Sequence, residues 1–554
     1  MPRSLHGRVE VTEETLNEAR EKVAERIADL DPAFALVKRV EFERRFDFLF
    51  LDLQDDSNNL LPEAKKTRDA LVELGKAMAD EGTDAPAGDS TFSAVYTYFG
   101  QFVDHDITLE KSGQPGMAPP VEENLKPLPL EDIREQTRNV RTGVLELDSA
   151  YNHPARRDPE PNGLKMKIGK VQPVPPNTRP PGKDDFNDLP RRPVPPTFPD
   201  ERDPVKRDRE ALIGDPRNDE NLIIAQLHLA FLRAHNRLLE ETSPPERFEK
   251  AKRRLRRHYQ YIVLHDFLKQ IAEPQIVDDT IKRNRVYKLP EDEFFMPLEF
   301  SVAAYRFGHS MVRAEYDYNL NFNTTNEPPT PQNRATLDRL FTFTALSGQI
   351  GGEVGIPELE TLPQNWIIQW QNFFSGGDFF NKARKIDTKL VEPLQRLQTM
   401  EGEDEPGLVA MLAVRNLLRG YQLRMPTGQA VARALHKTLK DVRDIPVLTA
   451  AQIRKGAGGG EAGDKQRKVL RDSGFDERTP LWYYILAEAA YLRDGRRLGP
   501  VGSTIVAEVL VGLVRRSPNS ILAPGINWTP NLPSEEPGEF TLHDLLRYAS
   551  KVIE

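Results

Sequence analysis

Two histidines in this chain stand where an imidazole could do more than meet solvent. YFGQFVDHDITL, Tyr98 to Leu109, follows a helical pattern of apolar positions at Phe92, Val95, Phe99 and Phe102. Gln101 and His105 therefore fall four apart on one helix face, with Asp104 and Asp106 flanking the histidine. In AYRFGHSMVR, Ala304 to Arg313, His309 lies among apolar neighbours with Arg306 three residues before it. A third stretch, GDPRNDENLIIAQLHLAFLRAHNRLLEE, puts Arg217 just ahead of a helix whose first turn holds Asp219 and Glu220. Imidazole exchanges protons near neutral pH and ligates metals, and a neighbouring guanidinium stabilises developing negative charge. Taken one at a time, each string also fits a packed histidine or acidic residues that favour a helix N-terminus.

Cysteine is absent, which excludes disulfides, thiolate catalysis, iron–sulfur clusters and thiolate-bound haem. No HExxH, GxSxG or P-loop pattern occurs, and there is no internal repeat. A formal GxGxxG at Gly458, Gly460 and Gly463 follows TAAQIRK, which reads as helix, so it lacks the strand a dinucleotide fingerprint needs. The tract GAGGGEAG, Gly456 to Gly463, is expected to be a flexible surface loop. His228 and His235 lie seven apart, as do His258 and His265; without further ligands at zinc spacing they read as packed or surface groups.

The elements that would hold these residues are mostly helices. Helical periodicity marks Thr12–Leu30, then 64–80, 92–105, 220–240, 247–272, 333–346, 407–420, 428–440 and 480–492. The 220–240 helix carries Ile223, Leu227, Phe231, Ala234 and Leu238 on one face. Strand candidates are short, Val144–Leu147 and Met166–Val171. From Pro154 to Pro204 proline recurs too densely for helix or sheet. At 554 residues with 38% hydrophobic content, the chain can bury a large core as one domain or several. A net charge of −9 argues against nucleic acid as a partner. The N-terminus has no apolar signal core, and the longest apolar run, Ile505–Val514, is broken by Glu508 and too short to cross a bilayer. A soluble, cytoplasmic protein with no membrane association is expected.

Taken together, the three strings resemble the animal-type haem peroxidases, and more closely their bacterial members. The resemblance continues in order through LGKAM near Leu74, LELDSAY at Leu145, RNLLRGYQLRMPTGQAVA at Arg415, LGPVGSTIVAEVLVGL at Leu498 and FTLHDLLRYA at Phe540. It implies a mainly α fold: one large helical haem-peroxidase domain over 45–550, with very little β and long irregular loops. The Pro-rich insert, about 153–205, lies inside it, and an N-terminal helical extension, 1–44, precedes it.

The same resemblance assigns roles. His105 matches the distal base that takes a proton from hydrogen peroxide and returns it to the leaving water; Gln101 and Arg217 match the distal glutamine and arginine. His309 matches the proximal ligand of haem iron, Asn416 the partner of its other ring nitrogen, and Arg306 a propionate partner. Asp104 and Glu220 match the carboxylates that form ester bonds to haem b, while Asn221 stands where a methionine sulfonium link forms in the family. Asp106 and Asp148 match calcium ligands, although Ala150 replaces a ligating serine of the mammalian enzymes. The implied activity is peroxidase: hydrogen peroxide raises the haem to a ferryl state, which oxidises small organic donors or halides. The alternative is a fatty-acid dioxygenase of the cyclooxygenase and α-dioxygenase type. Those enzymes carry a radical tyrosine three residues before the proximal histidine, where this chain has Arg306; Tyr305 is four before.

Overall fold

Apolar residues at three-to-four spacing dominate the sequence, and in the computed structural model they form a mainly α fold. The structure describes residues 45–80, 86–110, 123–151, 164–173, 181, 187–191, 211–289, 293–327, 330, 333–344, 361–377, 379–397 and 407–550. The helix expected at Thr12–Leu30 and about two thirds of the Pro-rich insert lie outside the described residues.

The principal helices are α1 Lys65–Ala77, α2 Val95–Ile107, α3 Leu222–Glu241, α4 Arg247–Tyr261, α5 Leu412–Gln422, α6 Gly428–Leu439, α7 Ala450–Gly456, α8 Gly460–Ser473, α9 Leu481–Arg493, α10 Pro500–Arg516 and α11 Leu542–Ala549. Their starts follow capping chemistry. Asn221 accepts from the backbone N–H of Ile223, Thr427 from Ala430, and Thr541 pairs with Asp544 in a capping box. In α10 every residue from Pro500 to Val514 is buried, so this helix runs through the interior rather than along the surface.

Strands serve as short stitches between distant segments. Among the described residues they form four two-stranded pairs. Arg45–Asp47 runs parallel to Phe295–Pro297, with Arg45 opposite Phe295, and Ala79–Asp80 parallel to Leu390–Val391. Asp89–Ser93 is antiparallel to Lys382–Arg384, and Glu315–Tyr316 to Ala335–Thr336. The strands expected at Val144–Leu147 and Met166–Val171 do not form. The first is a bend leading into a short helix at Asp148–Tyr151, and the second makes only isolated bridges such as Gly169 with Asp188. The glycine tract is likewise no flexible loop: α7 ends at Gly456 and α8 begins at Gly460, with Gly458 and Gly460 taking the positive φ that joins them.

Buried apolar side chains from Phe46 to Ala549 form one contacting cluster. Two contacts within it place the site. Phe99 and Phe102 of α2 stack on Phe231 of α3, with ring centroids 6.5 and 4.6 Å apart. A Cβ on Gly75 would lie 2.8 Å from Cα of Val414, so only glycine lets α1 press against α5, which carries Asn416.

Candidate active site

An apolar cleft opens between α2 and the segment that carries His309. One wall presents Gln101, Asp104 and His105; the other presents Tyr305, Arg306, Phe307, Gly308 and His309. The second wall contains no α-helix. Glu299–Ala303 is a π turn, and Ala304–Met311 is a 3₁₀ helix. Three residues per turn stack positions three apart, so Arg306 and His309 share one edge and Tyr305 is turned a third of a circle away. The segment is fixed at its start by the buried Glu299 carboxylate, which accepts from the backbone N–H groups of Leu49 and Phe50 at 2.7 and 3.1 Å. Near its middle the Trp482 indole N–H donates to the carbonyl of Arg306 at 3.1 Å.

On the α2 wall, Nδ1 of His105 donates to Oδ1 of Asn218 at 2.7 Å, which leaves Nε2 as the ring's acceptor. The other end of that amide, Nδ2 of Asn218, donates to Nδ1 of His228 at 2.9 Å. Burial, and after it the charge of Arg217, pull the His105 imidazole down to about 4, against opposing pulls from Asp215, Glu220 and Asp104. The ring is therefore neutral and able to accept a proton at neutral pH.

Arg217 and Glu220 stand behind the lining of the cleft. Arg217 donates to Asp215, to the carbonyl of Thr108 at 2.6 Å and to that of His105 at 3.3 Å. Burial alone would raise the Asp215 carboxyl, but Arg141 and Arg217 override it and hold Asp215 far below the usual carboxylate range. Glu220 accepts from the Gln101 amide at 2.6 Å, and its Oε1 is 3.8 Å from Nε2 of His105. Asp104 lines the cleft and accepts from the Thr108 hydroxyl at 2.8 Å. Asp219 and Glu220 do not form a first helical turn as expected. Asp219 ends a 3₁₀ turn at Pro216–Asp219, Glu220 follows it, and Asn221 caps α3.

On the opposite wall Nδ2 of Asn416 lies 2.8 Å from Nδ1 of His309. An Nε2 ligand to iron requires this amide turned over, so that its oxygen would hold Nδ1 protonated and free Nε2. Arg306 donates from Nε to the carbonyl of Ser301 at 3.0 Å and borders the cleft.

These residues fit a haem. The cleft is apolar apart from its few functional groups, with Met311, Val312, Leu337, Phe341 and Leu394 among its lining, and a histidine faces in from each wall. Nδ2 of Asn221 and the hydroxyl of Tyr305 are buried on this lining without a hydrogen-bond partner among the described residues, as groups awaiting a ligand are.

Behind His105, Asp106 accepts from the backbone N–H groups of Leu147 and Asp148, while Asp148 accepts from the Thr142 hydroxyl at 2.8 Å. Burial, then the charge of Asp148, push the Asp106 carboxyl up to about 8. No cluster of three or more metal-ligating His, Asp or Glu side chains occurs among the described residues. The pair alone thus falls short of the six to eight oxygens calcium takes.

His235, His258 and His265 are packed groups: His235 bonds the Tyr151 hydroxyl, His258 the carbonyl of Arg254, and His265 stacks on Tyr261. His228 departs from that reading, because Asn218 joins it to His105. Sequence spacing did not find Asn218, His228 or Asp215. They meet through an irregular turn, and the only sequence signal was the density of polar residues in GDPRNDEN.

A family model described as animal haem peroxidase matches residues 181–349. A "Peroxidase-like protein" of Margaritifera margaritifera is 35% identical over 117 residues, which is 19% of this chain and only 14% of that relative's length. Among solved structures, Peroxidase A from Dictyostelium discoideum covers 82% of this chain and 84% of its own at 17% identity, with a TM-score of 0.50. The Oryza sativa fatty acid alpha-dioxygenase covers 89% and 78% at 14% identity, with a TM-score of 0.46. The Dictyostelium likeness agrees with the fold described above, and within residues 181–349 the chain matches an animal haem peroxidase domain.

Proposed function

We propose that the protein is a haem-dependent peroxidase that takes hydrogen peroxide as oxidant and small organic donors or halides as reductants. The observation that carries this reading is the pairing of His105, with its Nε2 kept as acceptor, across one cleft from His309. When bound, haem supplies the redox-active iron and the ring system that store the oxidising equivalents of the peroxide. The chain supplies the rest. His309 would hold the iron through Nε2, and Asn416 would set its ring. Arg306 would meet a propionate, and Asp104 and Glu220 would be the carboxylates for ester links. Nε2 of His105 takes the proton from one peroxide oxygen and returns it to the other as water departs. Burial first, and then the fixed positive charge of Arg217 one layer back, keep this imidazole neutral between turnovers. Asp106 and Asp148, with backbone carbonyls and water, are the proposed calcium ligands.

The test is an absorption spectrum of the haem-supplemented protein before and after hydrogen peroxide. A Soret band that shifts with peroxide and returns when a reducing donor is added is the expected result. Absence of a Soret band overturns the reading.

A second reading, fatty-acid oxygenation, rests on Tyr305, whose buried hydroxyl lines the cleft without a partner among the described residues. Oxygen uptake with a long-chain fatty acid that disappears in Tyr305→Phe would favour it. The peroxidase reading expects no such uptake.

A further inference from the structure

We propose that Asn218 is a positioning residue for the peroxide reaction: braced by His228, it locks His105 in the tautomer whose Nε2 is bare. The inference rests on the peroxidase reading above for its catalytic consequence, and on geometry alone for the lock.

A carboxamide is a donor at one end and an acceptor at the other, and Asn218 spends both ends on histidine rings. Its Oδ1 takes the Nδ1 proton of His105 at 2.7 Å, and its Nδ2 donates to Nδ1 of His228 at 2.9 Å. Each ring is thereby assigned one tautomer: Nδ1–H for His105 and Nε2–H for His228. Turning the amide over would reverse both rings together and put a proton on His105 Nε2, where it could not accept one from peroxide.

Several contacts hold the amide in place. Asn218 and His228 are fully buried, and His105 nearly so. The turn carrying Asn218 is fixed on one side by Asp215, which accepts from the backbone N–H of Arg217, and on the other by Asn221, which caps α3. His228 belongs to α3 and packs edge-on to Phe102 of α2, with centroids 5.8 Å apart, so both helices clamp the ring that anchors the amide. A neutral amide suits the task better than a carboxylate. It orients the base without adding a negative charge to a buried site that already contains Asp104, Glu220 and Asp215.

The experiment uses the full-length chain labelled with ¹⁵N in its histidine rings. His105 and His228 signals are assigned by His105→Gln and His228→Gln. Ring ¹⁵N shifts distinguish a protonated nitrogen from a bare one, and this first measurement is made before haem is added. The wild type should show Nδ1–H for His105 and Nε2–H for His228. Asn218→Asp keeps the acceptor but not the donor, so His228 should switch to Nδ1–H while His105 does not change. Asn218→Leu, of similar volume, should leave His105 a mixture of tautomers. In haem-loaded protein, Asn218→Leu should slow the first reaction with peroxide by about 10- to 100-fold with haem content unchanged, and Asn218→Asp should restore most of the rate.

A wild-type His105 protonated at Nε2 overturns the proposal. So does an Asn218→Asp chain in which His105 rather than His228 switches, or an Asn218→Leu enzyme as fast as wild type. If Asn218→Leu does not fold, Asn218→Asp alone decides by which ring it switches. If haem-loaded wild type does not react with peroxide at all, the peroxidase reading fails instead, and the ring spectra still decide the lock.

Discussion

At the scale of single residues, the site divides its labour between groups that touch the cleft and groups that hold them. His105 faces the cleft, so His105→Ala should slow peroxide-dependent oxidation by about 10²–10⁴-fold while the Soret band of bound haem persists. Stopped-flow mixing with peroxide measures this; an unchanged rate would remove His105 as the base. The two carboxylates proposed for ester links are not equally placed. Asp104 borders the cleft, whereas Glu220 lies behind the lining and accepts from Gln101. After exposure to peroxide, acid solvent should therefore extract far more haem from Asp104→Val than from Glu220→Val, and all of it from the double variant. Complete extraction from wild type would mean that no ester forms. The cleft residues were legible in the sequence, because Gln101 and His105 lie on a regular helix where spacing fixes direction. Asn218 and Asp215 were not, because a 3₁₀ turn followed by a cap gives no fixed period from which to read which side chains converge.

At the scale of elements, long helices followed their apolar pattern closely, while the segment that carries His309 followed none. Its π turn and 3₁₀ helix bring Arg306 and His309 to one edge, a placement that 3.6-residue spacing only approximates. The strands were illegible for a different reason: they are two to five residues long, too short for alternation to show, and three of the four pairs join segments hundreds of positions apart. Helix α10 shows how the interior helices are terminated. Its first N–H groups, on Val501 and Gly502, donate to the buried carboxylate of Glu488 on α9 at 3.1 and 3.3 Å. Glu488→Ala leaves those groups unsatisfied and a cavity behind them. It should cost about 1–3 kcal/mol, seen as a lower denaturant midpoint with the helical signal retained.

At the scale of the whole molecule, the cleft is an assembly of segments far apart in the chain. A ligand that binds only the assembled cleft stabilises the fold by mass action, about 2.7 kcal/mol when its free concentration is a hundred times its dissociation constant. Haem should therefore raise the thermal midpoint of the wild type, and His309→Ala should lose most of that rise; an equal rise in both would place the binding elsewhere. The paired segments also set a schedule for biosynthesis. The backbone of Leu49 waits for Glu299, 250 residues later, and the carbonyl of Ala77 for Gln466, 389 residues later. At roughly 5–20 residues per second of translation, those partners emerge about 10–80 s after the segments they complete. For that interval α1, with Leu71 and Leu74 destined for burial, lacks the contact that Gln466 of α8 makes at its end. The order of synthesis thus makes closure of this part of the fold a late event, complete only after the chain has passed Gln466.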